Sequence, residues 1–143
     1  MPRVDFYILA DSSSDKRELF ACRLAEKAYD ADQAVYIYTD SVASARRVDE
    51  LLWTFKQGSF IPHGLSDANP GGDAVLIGTQ APAENQKRQI LLNLSRNMPP
   101  FFEKFERVME LVGDQKDEKT VARDRYKKYR EAECEVHAHN IGR

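Results

Sequence analysis

The apolar positions of the chain fall into short runs separated by longer stretches of helical period. Val4 to Ala10 (Val-Asp-Phe-Tyr-Ile-Leu-Ala) is a short, β-favouring run and reads as a buried strand. Asp11 and the serines Ser12 to Ser14 supply N-cap chemistry for a following helix. From Lys16 to Tyr29 the spacing is helical: Phe20, Leu24 and Ala28 share a face, with Ala21, Ala25 and Tyr29 beside it, while Arg23 and Lys27 point away. Ala34 to Thr39 is a second apolar strand. Asp40 and Ser41 then open a second helix to about Trp53, with Val48, Leu51 and Leu52 inward. This β-α-β-α alternation predicts a parallel sheet covered by helices.

The second half is less regular. Gly64 to Asp73 has loop composition, rich in Gly, Pro, Asp and Asn. Ala74 to Thr79 predicts a third strand and Gln80 to Gln86 a polar loop. Ile90 to Leu94 is ambiguous by period; its shortness and the turn-prone Asn97-Met98-Pro99-Pro100 that follows favour a strand. Phe101 to Phe105 predicts one or two helical turns, and Arg107 to Gly113 a last strand. Asp114 is placed to cap a final helix running to about Ala132, and the tail from Glu133 is expected to be disordered. With no internal repeat and no linker, residues 1–143 are expected to form one domain, an α/β three-layer sandwich on a mostly parallel sheet.

Composition narrows the function classes. The 143 residues are 42% hydrophobic and 31% charged, with a net charge of −2. That balance excludes a protein that coats DNA through bulk positive charge, so any anion contact must come from a local patch. Cys22 and Cys134 are far apart and form no paired motif, which fits a reducing compartment better than a disulfide framework. Met1 to Leu9 lacks the basic start and long apolar run of a signal peptide, and the apolar runs are far too short to span a bilayer. A soluble, cytoplasmic chain is expected.

A sandwich of this kind invites a nucleotide reading, but the phosphate loop is missing. The first β-α turn, Leu9-Ala10-Asp11-Ser12-Ser13-Ser14, contains no glycine, and glycines are what let a backbone approach a pyrophosphate closely. Asp11 would repel phosphate, and there is no Walker lysine. No carboxylate pair or Ser/His/Asp set suggests catalysis. Cys134, His137 and His139 form a Cys-x-x-His-x-His cluster, but structural zinc takes four ligands on ordered backbone, so no metal or cofactor is expected. Cys22, at the edge of an apolar helix face, reads as a small buried hydrophobe.

The segment from Lys116 to Arg130 is the most informative. On an ideal helix with Lys119 at the origin, Arg123 falls near 40°, Tyr126 near −20°, Lys127 near 80° and Arg130 near 20°, at about 100° per residue. Lys116 joins this stripe. Val121, Ala122, Tyr129 and Ala132 are expected on the opposite side, against the sheet. A solvated charged face is the ordinary reading of such a run. Two features oppose it: Asp124 and Glu131 lie at the stripe's edge rather than within it, and Tyr126 sets a flat apolar surface among the cations. Cations around an aromatic suit a carboxylate attached to an apolar side chain. A phosphate backbone is the competing ligand, although a single helix face on an acidic chain is a poor duplex reader.

These residues carry a resemblance. Ala122-Arg-Asp-Arg-Tyr-Lys-Lys-Tyr-Arg130 resembles the C-terminal signature of the chi subunit family of bacterial DNA polymerase III. Val4-Asp-Phe-Tyr-Ile-Leu-Ala resembles the family's first strand. Val48-Asp-Glu-Leu-Leu-Trp53 with Ser59-Phe-Ile-Pro-His63 resembles its helix end and following turn. The resemblance implies a Rossmann-like fold without nucleotide chemistry, no catalytic site, and two partners. One is the acidic C-terminal tail of single-stranded DNA-binding protein, which ends in phenylalanine and would dock on Lys119, Arg123, Tyr126 and Lys127 with Val112 as a pocket wall. The other is the psi subunit, which links chi to the clamp loader and would meet Trp53, Phe60 and Pro62, with His63 adjacent. DNA would be contacted only indirectly. The loop Gly64 to Asp73 and the tail after Glu131 match no pattern of the family. Two other classes stay open: a direct single-strand binder using the same stripe, recognisable by steep salt dependence, and an α/β enzyme with a deep polar pocket at the carboxyl edge of the sheet.

Overall fold

The computed structural model describes residues 2–10, 14–58, 60–66, 74–83, 88–113 and 115–141. In chain order the elements are β1 (Arg3–Leu9), α1 (Ser14–Asp30), β2 (Val35–Tyr38), α2 (Val42–Thr54), β3 (His63–Leu65), β4 (Val75–Gly78), β5 (Ile90–Asn93), a 3-10 turn (Phe102–Lys104), β6 (Arg107–Val112), α3 (Lys116–Glu131) and β7 (Glu135–Ile141). The strands form one sheet of order β3-β4-β2-β5-β6-β1-β7. Every pairing among them is parallel, where the sequence predicted a mostly parallel sheet.

Parallel strands buried on both faces must be apolar on both, which is why β2, β4 and β5 read as unbroken apolar runs. Their alternate residues feed two cores. Val35, Ile37, Val75, Ile77, Ile90 and Leu92 pack under α1 and α2. Tyr36, Leu76, Leu91, Val4, Phe6 and Val108 pack on the other face, with Tyr129 of α3. The result is a three-layer α/β sandwich. Cys22 is buried in the first core, and burial pushes its thiol up to about 12. Among the described residues no helix is long and apolar enough to cross a membrane.

Helix ends account for most differences from the sequence reading. Ser41 caps α2 as expected, its Oγ accepting from the amide of Ser44 at 3.1 Å. The N-cap of α3 is Gln115, whose side chain does not cap the helix; Asp114, like the serine-rich turn at 11–13, lies outside the described residues. At the other end of α3, Glu133 takes the left-handed conformation with φ 67°. Its amide donates to the carbonyl of Arg130, and that of Cys134 donates to the carbonyl of Tyr129. This is a Schellman closure with a glutamate where glycine is usual. It stops the helix sharply and returns the chain to the sheet.

The tail expected to be disordered is therefore a strand. β7 pairs with β1 in continuous register from Arg3↔Glu135 to Leu9↔Ile141. The segment expected to be loop from Gly64 likewise begins in β3, whose three residues pair with β4; positions 67–73 lie outside the described residues, as do 84–86 of the polar loop.

One polar cluster fixes α3 on the sheet. Glu110 of β6 is fully buried. It accepts from Arg125 Nη1 at 2.8 Å, Tyr129 Oη at 2.7 Å and Asn93 Nδ2 at 3.0 Å. Arg125 also donates to the carbonyl of Arg96, and Asn93 Oδ1 accepts from Ser95 Oγ at 2.7 Å. Burial pushes the Glu110 carboxyl up, while the Arg125 charge and the bonds from Tyr129 and Asn93 pull it back. Burial, with the neighbouring Glu110 charge, also raises the Tyr129 hydroxyl well above its ordinary range. A buried charge that loses its partner is costly, by about 3–5 kcal/mol. Arg125→Ala should lose about that much stability in chemical denaturation. A triple change to Glu110→Leu, Arg125→Met and Tyr129→Phe should recover at least half of the loss, because it leaves neither an orphaned charge nor the orphaned hydroxyl that Tyr129 would become.

Candidate peptide-binding groove

With Arg125 and Tyr129 tied to β6, α3 lies over β6 and leaves the α3 side of β1 and β7 partly uncovered. The gap is a groove of about 520 Å³. Its floor is Phe6 and Ile8 of β1 and Val112 of β6. One wall is Lys119, Ala122, Arg123 and Tyr126 of α3, and the other is Ala138 and Asn140 of β7. Register places Ala138 beside Phe6 and Asn140 beside Ile8. Small side chains at Ala122 and Ala138 keep the groove open. The Tyr126 ring rests on Phe6, with centroids 5.7 Å apart, and Phe6 meets Tyr129 at 6.0 Å. The rim is cationic and the floor apolar.

Four of the five residues expected to hold an acidic peptide meet here: Val112, Lys119, Arg123 and Tyr126. Lys127 is exposed on α3 but does not line the groove. The helical wheel needs one correction. Val121, expected against the sheet, is 47% exposed; the buried centre of α3 is Arg125 and Tyr129. Ala122 packs on the sheet as expected, and it also borders the groove beside Tyr126. Sequence reasoning assigned Arg125 to neither face, because its buried role depends on Glu110 of a neighbouring strand. It missed Ala138 and Asn140 because their strand was read as disordered.

The basic stripe lacks the ion pairs of a merely solvated face. Among the described residues Lys116, Lys119, Arg123, Lys127 and Arg130 have no ion-pair partner; the i,i+4 pair found on α3 joins Lys128 to Asp124 at 3.0 Å. Lys116 and Lys119 also stand near the helix N-terminus, where the macrodipole disfavours cations by some tenths of a kcal/mol.

The β7 wall is locked from the opposite face of the sheet. Asp5 is fully buried between Arg107 Nε at 2.8 Å, His139 Nε2 at 2.8 Å and Arg3 Nε at 3.2 Å. His139 stacks on Tyr7 at 5.1 Å. Burial alone would raise the Asp5 carboxyl, but the hydrogen bonds from His139, Arg3 and Arg107 outweigh it and hold the carboxyl below its ordinary value. Strand alternation separates the Cys-x-x-His-x-His residues: Cys134 packs with the α3-side core, whereas His139 meets Asp5 and His137 bonds Glu135 at 2.6 Å. Among the described residues no group of three or more metal-binding side chains comes together.

A second exposed feature lies at the other edge of the sheet. Trp53, at the end of α2, is 51% exposed and meets Phe60, 70% exposed, with centroids 5.6 Å apart. Pro62 is half-buried beside them. His63 lies beneath this pair: its side chain is fully buried 4.5 Å from Trp53, with its ring nitrogens 2.7 Å from the Ile61 carbonyl and 2.9 Å from that of Asp49. The hollow at the carboxyl ends of β2 and β4, bordered by Arg46, Ser66, Thr79 and Gln80, has no carboxylate, histidine or cysteine among its described lining residues.

Residues 1–137 match the family described as DNA polymerase III chi subunit, HolC. The chain belongs to the DNA polymerase III chi subunit family. It is similar to DNA polymerase III subunit chi of Pseudomonas aeruginosa, at 36% identity over 143 residues, covering 100% of this chain and 99% of that one. The chi subunit of Haemophilus influenzae is 32% identical over 138 residues, covering 96% of each chain. That of Escherichia coli K12 is 31% identical over 137 residues, 92% of this chain and 93% of that one. Membership in the chi family accords with an α/β sandwich whose first β-α turn carries no phosphate-binding glycines.

The Asp5 lock gives a pH prediction. A carboxyl whose folded pKa lies below the unfolded value of about 3.8 adds stability that is present above that value and is lost as pH falls from there through the lower folded pKa. Asp5→Asn should lower stability near neutral pH by about 1–3 kcal/mol. It should also flatten the further loss below about pH 4, read as Tm against pH. An unchanged acid limb would remove Asp5 from this role.

Proposed function

We propose that this chain is a non-catalytic replisome adaptor that holds the acidic C-terminal tail of single-stranded DNA-binding protein in the groove between α3 and β7. The observation that carries the reading is a row of cations on α3, without ion-pair partners among the described residues, of which Lys119 and Arg123 border an apolar groove. Arg123 and Lys119 would take the carboxylates. The terminal phenylalanine would lie on Phe6, Val112 and Tyr126, whose apolar surfaces form one continuous bed. Lys127, set outside the groove, would contribute long-range attraction rather than a direct bond.

A charge-assisted hydrogen bond contributes about 1.5–3 kcal/mol, or about a ten- to hundredfold change in affinity. Arg123→Glu should therefore abolish measurable binding of a short acidic peptide ending in phenylalanine. Arg123→Ala and Lys119→Ala should each weaken it about tenfold or more, and Lys127→Ala by about threefold at most. Deleting the terminal phenylalanine from the peptide should cost as much as losing an arginine. Equal binding by the Arg123→Glu variant in a calorimetric titration would refute the reading. Tight, steeply salt-dependent binding of bare single-stranded DNA would favour the direct binder instead.

The same proposal assigns the Trp53–Phe60 patch to the psi subunit. Exposed aromatics in contact with each other are typical anchors of protein interfaces. Trp53→Ala with Phe60→Ala should abolish co-purification with psi while peptide affinity stays within about twofold of the parent. Loss of both activities together would mean that the change had disturbed the fold.

A further inference from the structure

Strand β7 ends the sheet on the groove side, and its outer edge is open. The carbonyl of Ile141 accepts from the amide of Ala10 at 3.2 Å, so the peptide groups of Glu135, His137, His139 and Ile141 face β1. Backbone groups alternate sides along a strand, and those of Val136, Ala138 and Asn140 therefore face outward. No described residue pairs with them. Exposed edges are usually protected by lysine, proline or a bulge. β7, Glu-Val-His-Ala-His-Asn-Ile, has neither residue, and its register with β1 is unbroken.

The open edge is continuous with the groove. Ala138 and Asn140 line the groove with their side chains while their backbone groups point outward, and Val136 packs on the same face. Lys119 and Arg123 stand across from them without ion-pair partners among the described residues. An extended acidic peptide on this edge would turn alternate side chains toward those cations. A second copy of this chain would instead bring another uncompensated basic stripe to the same face, which favours the acidic peptide as the occupant.

We infer that an acidic peptide bound in the groove is captured as an additional β-strand, its backbone paired with Val136, Ala138 and Asn140. This rests on the groove reading above and adds main-chain recognition to it. Such pairing supplies affinity that tolerates sequence change upstream of the peptide's terminus.

Amide hydrogen exchange on the full chain, with and without a saturating synthetic acidic nonapeptide ending in phenylalanine, tests it. Exchange at Val136, Ala138 and Asn140 should slow by about tenfold or more, while His137 and His139, already bonded to β1, should change little. A peptide N-methylated at alternate upstream residues should bind about tenfold more weakly, and one methylated at the intervening residues should bind like the parent. If the parent peptide binds but neither methylated form is weakened and β7 exchange is unchanged, the strand is overturned and the groove stands. If the parent peptide does not bind, both fall. Protection that grows with protein concentration alone identifies a second copy on the edge and overturns the inference.

Discussion

The placement of α3 depends on a carboxylate at the centre of the sheet. Glu110 occupies a position on β6 where an apolar residue would serve the core better by itself, and it is buried completely. Its oxygens are satisfied by three donors from two elements: Asn93 at the end of β5, and Arg125 and Tyr129 one turn apart on α3. A hydrophobic contact alone would let a helix slide or rotate at little cost, because apolar contacts are non-directional. Hydrogen bonds to a buried charge are directional, and breaking them leaves an orphan, so they fix both rotation and register. With Arg125 and Tyr129 held down, Ala122 and Tyr126 turn toward β7, and Lys119 and Arg123 stand above them. The groove follows from where the anchor sits.

That dependence explains what the sequence could and could not reveal. Strands β2 and β4 and helix α1 were legible because strands buried on both faces need continuous apolar runs and surface helices need a period of 3.6, whereas β5, ambiguous by period, was read from its shortness and the turn that follows. The basic stripe was legible because cations at helical spacing require no knowledge of the neighbouring strand. The buried face of α3 was not. Its key residue, Arg125, is polar by type and becomes internal only through Glu110, fifteen positions earlier in the chain. Val121 was misassigned for the same reason: with the helix rotation set by polar bonds, an apolar residue was left at the surface.

The C-terminal strand was hidden by two local signals that pointed the wrong way. Glu133 is an unusual residue for a left-handed helix stop, so nothing announced a sharp turn. β7 then alternates polar residues on one face with small ones on the other, a pattern too weakly apolar to read as a strand. Its stability comes from elsewhere in the chain, from a ladder with β1 and from His139 closing on buried Asp5. Half of the groove wall therefore lay in a segment whose order is conferred by tertiary contacts.

The positions of the two exposed features bear on the adaptor reading. Strands β3 and β7 are the opposite edges of the sheet. Trp53 and Phe60 sit by the first, and the groove opens beside the second. A rigid parallel sheet keeps them apart, so a partner on one edge leaves the other free. Two binding events on such a body should be energetically independent, coupled by physical linkage rather than by a change of shape. An adaptor needs that property most, since its output is the raised local concentration of one partner near the other.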